Sequence, residues 1–244
     1  MIKAILSGHS GGLGAALAHT LLERGIAVLG LSRRPNDSLA AHPALEQQAI
    51  DLSDPAALGR WLAGPALAAF LRDARSALLI NNAGQLQPVG PCGEQDPARL
   101  VTSVQLNLTA PLLLANAFTA ASGHCADRRV LHISSGAARS AYAGWSIYCA
   151  TKAGLDQHAR AVSLDRRPGL RIASIAPGVV DTPMQAEVRA SDPRDFPLRA
   201  RFAALDSDGQ LAAPEDVAHR LVDHLLGERF GDFVDGDLRI MPTA

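Results

Sequence analysis

Short, continuously apolar runs punctuate the chain at residues 2–6, 27–31, 77–80, 129–133 and 171–175. Between them lie longer stretches with helical amphipathic spacing, at 12–24, 54–72, 97–122 and 145–166. Unbroken apolarity, rather than apolar–polar alternation, predicts strands buried on both faces. Strands alternating with helices predict an α/β fold: a doubly wound parallel sheet with helices on either side and right-handed crossovers.

Local signals place several helix ends. Pro55 falls in a first turn with Ser53 as the expected N-cap, and Pro97 follows Asp96 in the same way. Pro214-Glu215-Asp216 opens a last helix, which Gly227 is expected to stop. Residues 181–213 break the rhythm with Pro183, Pro193, Pro197, mixed charge and no strand. They are expected to form an inserted helical lid inside a single domain spanning 1–244. No repeat or linker divides the chain.

Composition narrows the class. At 244 residues and 48% hydrophobic, the chain can bury a large core without staples. A net charge of −1 argues against a nucleic-acid partner. Cys92, Cys125 and Cys149 are odd in number and widely spaced, which fits neither a disulfide framework nor a zinc site. No apolar run is read as a membrane span or a leader. The expectation is a cytoplasmic protein acting on a small molecule, with no metal. Of 23 basic residues, only Lys3 and Lys152 are lysine.

The first apolar run ends in Ser7-Gly8-His9-Ser10-Gly11-Gly12-Leu13-Gly14 and leads into an Ala/Leu helix. Glycine permits a sharp turn and lets a diphosphate approach the free N–H groups of a helix start. Ser7, Gly8, Ser10, Gly12, Leu13 and Gly14 are therefore expected around a dinucleotide, with His9 an unpaired, solvent-facing side chain. Such folds commonly carry an acid after the second strand, on the ribose 2′-hydroxyl. Here the second run ends in Ser32-Arg33-Arg34, and Asp37 comes only beyond Pro35. A hydroxyl and two guanidinium groups suit a 2′-phosphate, a preference for NADP(H) of about tenfold to hundredfold. The plain alternative is a solvated basic pair.

Tyr148 and Lys152 are four residues apart and share one face of the helix expected at 145–166. A nearby ammonium favours the phenolate, so Lys152 is expected to lower the Tyr148 pKa and make it a general acid/base. Ser135 closes the preceding strand, in Ile133-Ser134-Ser135-Gly136.

Taken in order, these residues resemble the motifs of the compact short-chain dehydrogenase/reductase family. So do Asp51-Leu52, Asn81-Asn82-Ala83-Gly84, Asn107 and Pro177-Gly178-Val179-Val180-Asp181-Thr182. Stretches at 133–138, 142–154 and 177–186 are similar to its benzil and sepiapterin reductase branch. The resemblance implies a Rossmann-like sheet of about seven strands. It implies NADPH/NADP as cofactor, touched by Asp51, Leu52, Asn82, Ala83, Gly84, Tyr148, Lys152, Pro177, Gly178, Val180 and Thr182. It further implies reduction of a ketone or vicinal dicarbonyl. Ser135 would orient the carbonyl and Tyr148 would donate the proton. Lys152 would hold the ribose, and Asn107 would seat a water joining Lys152 to solvent. A homodimer or homotetramer packed through 97–122 and 145–166 is also implied. Gly11 departs from the basic residue common in NADP-using members.

Ser135, Tyr142, Trp145 and Met184 are expected against substrate, although plain packing explains the two aromatic residues equally well. Met184, Phe196 and Leu198 point to an apolar substrate; Arg189, Arg194, Arg199 and Arg201 either bind an anion or face solvent. Asn81 suits a turn, His132 a satisfied core position and Cys149 simple packing. Two other functions share these features: a catalytically silent NADP(H) sensor or scaffold, and an NAD-dependent alcohol dehydrogenase. Ser32-Arg33-Arg34 disfavours the latter.

Overall fold

The computed structural model describes residues 1–241. Its strands are β1 (Ile2–Ser7), β2 (Ala27–Ser32), β3 (Leu45–Ala49), β4 (Ser76–Asn81), β5 (Asp127–Ile133), β6 (Leu170–Ala176) and β7 (Asp235–Asp237). They form one parallel seven-stranded sheet in the order β3-β2-β1-β4-β5-β6-β7. This is the expected Rossmann-like, single-domain architecture. The order reverses between β1 and β4, which opens a crevice at the carboxyl ends of those strands.

The unbroken apolar runs follow from the two covered faces. On one face Ala4, Leu6, Leu78, Ile80 and Leu131 pack with α1 (Gly12–Glu23) and α9 (Pro214–Leu226). On the other, Ile5, Leu29, Leu79 and Val130 pack with α2 (Pro55–Ala63), α3 (Ala66–Leu71) and α5 (Ala110–Ala121). Successive strand residues point to opposite faces, so both parities must be apolar. Each fully buried Leu or Ile contributes roughly 1.5–3 kcal/mol.

Several boundaries differ from expectation. The helix expected over 54–72 is two, α2 and α3, parted at Gly64 and Pro65. Asp54, not Ser53, caps α2: its Oδ1 accepts from Ala56 N at 2.9 Å and Ala57 N at 3.1 Å. Only the residue immediately before Pro55 reaches those amides, and Ser53 instead donates to Asp51 at 2.6 Å. Asp96 caps α4 (Pro97–Val104) as expected. A π-helical turn, Gln105–Thr109, joins α4 to α5. The combined stretch Pro97–Ala121 is by length and composition apolar enough to cross a membrane, although Arg99, Gln105, Asn107 and Asn116 keep it from being one unbroken apolar run. Its apolarity serves the core instead, where Ala110, Leu114 and Phe118 are buried against the sheet. α6 (Ser146–Leu164) follows β5. Residues 181–213 hold α7 (Pro183–Ala190) and α8 (Arg199–Ser207). Val188, Phe196 and Phe202 from this stretch bury against Trp145.

Candidate active site

The glycine turn is built by close backbone contact. Gly8 has φ +75°, and a Cβ on Gly14 would lie 1.9 Å from Gly8 O. The Ser7 hydroxyl is buried and accepts from Asn82 N at 2.9 Å and Ala83 N at 3.0 Å. Asn82 Nδ2 donates back to Ser7 O and Gly8 O at 3.1 and 3.2 Å. These bonds span the β1–β4 switch point and fix both sides of the crevice. Asn81 is no simple turn residue: its Nδ2 donates to Pro111 O and to His132 Nδ1, at 3.2 and 3.1 Å. His132 is the satisfied core histidine expected, completed by His158 Nδ1 at 3.1 Å from its Nε2. Burial pushes its pKa down to about 3, with His158 and Lys152 adding to the effect.

His9 departs from the sequence reading. It is fully buried rather than solvent-facing, with Nε2 2.7 Å from Gln47 Oε1. The turn points its side chain inward, beneath β2, because Gly30 leaves a space there that the ring fills.

A groove of about 720 Å³ runs the length of the crevice. At one end it is lined by Ser32, Arg33, Arg34, Asp51 and Leu52, and in the middle by Gly8, Ser10, Gly12, Leu13 and Gly14. Asn82, Ala83, Gly84, Pro177, Gly178, Val180 and Thr182 line it further along. Arg33 and Arg34 are exposed and form no ion pair among the described residues. Burial raises the Asp51 pKa, but two hydrogen bonds from Ser53 and, more weakly, the through-space charge of Arg33 hold it below the usual carboxylate range. Bare glycine backbone at a helix start, with free guanidinium groups at one end, fits a dinucleotide.

Ser135, Tyr148 and Lys152 line the same groove. Lys152 Nζ donates to Ile133 O at 2.8 Å and lies 5.7 Å from the Tyr148 ring centroid. Burial pushes Lys152 down to about 8, opposed by the Asp156 carboxylate. Burial pushes the Tyr148 hydroxyl up, opposed by the Ser135 hydroxyl. Desolvation, not the lysine charge, therefore dominates Tyr148, contrary to the expectation from spacing alone. Asn107 sits in the π-helical turn, fully buried. It clasps the Gln85 backbone, accepting from Gln85 N and donating to Gln85 O, both at 2.8 Å. A Cβ on Gly84 would stand 3.3 Å from Asn107 Oδ1 and 3.7 Å from Lys152 Nζ, so Gly84 keeps open the space they share.

Beyond Tyr148 the groove is aromatic. Tyr142, Trp145 and Met184 line it, joined by Leu86, Val188 and Phe202, which the sequence reading missed. Trp145 stacks on Phe196, with centroids 4.3 Å apart and planes 2° from parallel. Leu198 packs on the same cluster. Arg189 pairs with Asp206 at 3.3 Å, and Arg199 donates to Arg189 O at 2.7 Å, which ties α7 to α8. Arg194 pairs with Asp192 in solvent, whereas Arg201 reaches the groove. Cys149 is half-buried, with Sγ 3.8 Å from Ser140 O. Asp156 was also missed; four residues past Lys152, it shares that residue's helix face.

A nucleotide groove at the switch point of a doubly wound sheet, ending beside Ser135, Tyr148 and Lys152, defines a dinucleotide-dependent oxidoreductase. The chain belongs to the short-chain dehydrogenase family, whose model matches residues 3–193. These enzymes act on CH–OH or C=O groups and use NAD(P)H. A benzil reductase ((S)-benzoin forming) of Bacillus cereus is 36% identical over 243 residues, covering 94% of this chain and 96% of that protein. A sepiapterin reductase of Meriones unguiculatus is 34% identical, covering 93% and 92%. A crystal structure of a short-chain dehydrogenase/reductase from Burkholderia vietnamiensis superposes with TM-score 0.72 at 45% identity, covering 99% and 98%.

Proposed function

We propose that the protein is a cytoplasmic, NADPH-dependent carbonyl reductase acting on aromatic ketones or vicinal dicarbonyls. One observation carries the reading: a single groove joins the unpaired Arg33 and Arg34 to Ser135, Tyr148 and Lys152, and then to the Tyr142–Trp145–Phe202 cluster. NADPH bound in this groove would supply a hydride to the carbonyl carbon and be left as NADP+. Ser135 holds the carbonyl oxygen, and the Tyr148 hydroxyl passes a proton to that oxygen as negative charge develops. Lys152 holds the ribose and offers a positive field, and Asn107 fixes the Gln85 backbone beside it. Residues 181–213 form the lid, which supplies the apolar wall and excludes water. Likeness to benzil and sepiapterin reductases supports the substrate class. Exposed Val101, Leu113 and Leu164 on α4, α5 and α6 support a homodimer or homotetramer packed through those helices. Unpaired Cys92, Cys125 and Cys149 suit a reducing compartment.

The test follows the near-ultraviolet absorbance of NADPH or NADH with benzil, sepiapterin, aliphatic diketones and simple ketones. The expected result is oxidation of NADPH by an aromatic diketone, at least about tenfold faster than NADH at low concentration. Tight NADPH binding without turnover of any of these would favour a silent sensor.

A further inference from the structure

Beneath the arginine-bearing loop lies a buried polar ring that the carbonyl-reductase reading leaves without a role. Gln47 Oε1, on β3, receives the Asn36 backbone N–H at 2.6 Å. It also lies 2.7 Å from His9 Nε2, so that nitrogen carries the hydrogen. Asn36 is 5% exposed; its Nδ2 donates to His9 O at 3.1 Å, and its Oδ1 accepts from the Ser38 hydroxyl at 2.7 Å. The ring thus links the glycine turn after β1, the loop after β2, and β3. Gly30 makes room for it, since a Cβ there would lie 2.5 Å from His9 Cγ.

The loop above is short. Arg33, Arg34 and Pro35 are exposed, whereas Ser32 and Asn36 on either side are buried. Ser32 Oγ donates to Arg34 O at 2.5 Å and pins the near end. Asn36, held by His9 and Gln47, pins the far end. We propose that His9, Asn36 and Gln47 are positioning residues for dinucleotide selection, holding the Arg33-Arg34 segment against the glycine turn so that both guanidinium groups face a 2′-phosphate. The proposal rests on the NADPH reading. Guanidinium–phosphate pairing is directional, and a loop already fixed loses less freedom on binding. None of the three residues touches the reacting atoms, and His9 does not line the groove.

Calorimetric titration with 2′,5′-ADP and 5′-AMP tests this on the wild type, His9→Ala, Gln47→Ala and the double variant. The wild type should prefer 2′,5′-ADP by about tenfold or more. Each single variant should lose most of that preference, with 5′-AMP affinity moving less than about twofold, and the double variant should lose no more than either single. Equal weakening of both nucleotides would overturn the proposal, because the ring would then only hold the turn together. An unchanged preference in folded variants would overturn it as well. A wild type without preference would refute the NADPH reading and the proposal together. Gln47 is half-buried on an edge strand, so its variant keeps the test open where His9→Ala fails to fold.

Discussion

Lys152 and Asp156 stand one turn apart on α6, both buried, and the carboxylate opposes the loss of the ammonium charge. Asp156 is itself held by the hydroxyls of Ser134 and Ser174, at 2.6 and 2.7 Å, and by Arg139 at 3.0 Å. It ties α6 to the ends of β5 and β6, next to Ser135. Burial lowers Lys152 to about 8, so its charge is present below that pH and lost above it. Asp156→Asn removes the opposing effect and should lower the Lys152 pKa further. The alkaline fall in kcat/KM, which reports the free enzyme, is expected to move acidward. A pH–rate profile checks this, and an unmoved alkaline limb would contradict it.

Tyr148→Phe keeps the ring that packs edge-on to Trp145, with centroids 5.6 Å apart, and removes only the hydroxyl. A drop in kcat of about 100- to 10,000-fold is expected, the usual scale of general acid catalysis. NADPH affinity, measured by fluorescence, should stay within about twofold.

Arg33→Asp places a carboxylate where the 2′-phosphate is read. Charge repulsion should cost NADPH about tenfold to hundredfold in affinity, while NADH gains. Competing titrations of the two cofactors report the ratio, and unchanged NADPH affinity would sink the assignment.

Ser7→Ala strips the acceptor from two backbone N–H groups across the switch point. Leaving buried donors unmet costs about 1–3 kcal/mol each, so a loss near the low end of their sum is expected where water enters the groove. Ser7→Thr keeps the oxygen and should unfold at nearly the wild-type urea concentration.

Gly30→Ala drives a methyl into the His9 ring and should destabilise by about 1–3 kcal/mol. The same change in a His9→Ala background should cost much less, because the clash is gone. Urea midpoints of the four proteins close the cycle; equal costs in both backgrounds would refute the packing.

The sheet was legible where its strands are buried on both faces. β1, β2, β4, β5 and β6 read as apolar runs because each side chain, up or down, meets a helix. β3 is Leu-Glu-Gln-Gln-Ala at an edge, and β7 is Asp-Gly-Asp, so burial left no pattern to read in either. The candidate site was legible in its motifs, since glycines, Tyr148 and Lys152 announce themselves by type and spacing. Their environment was not. Whether Tyr148 rises or falls depends on how dry the groove is, and whether His9 points in or out depends on a glycine 21 positions later. Asp156 was within reach of helical periodicity alone, and only its partners Ser134, Ser174 and Arg139 required the fold.

The scarcity of lysine has a practical side. Lys152 is 5% exposed, and Lys3 is engaged by Asp73 and the Phe70 carbonyl. The other Lys/Arg positions are arginine, so apart from Lys3 and the exposed Met1 α-amine, which mass spectrometry of the digested protein separates from Lys152, the folded surface offers amine-directed reagents little. Acylation of Lys152 would therefore act as a clock for opening of the groove, read by mass spectrometry of the Lys152 peptide apart from the Met1–Lys3 one. Any molecule that settles over that amine would be seen to slow the clock, whether or not it is turned over.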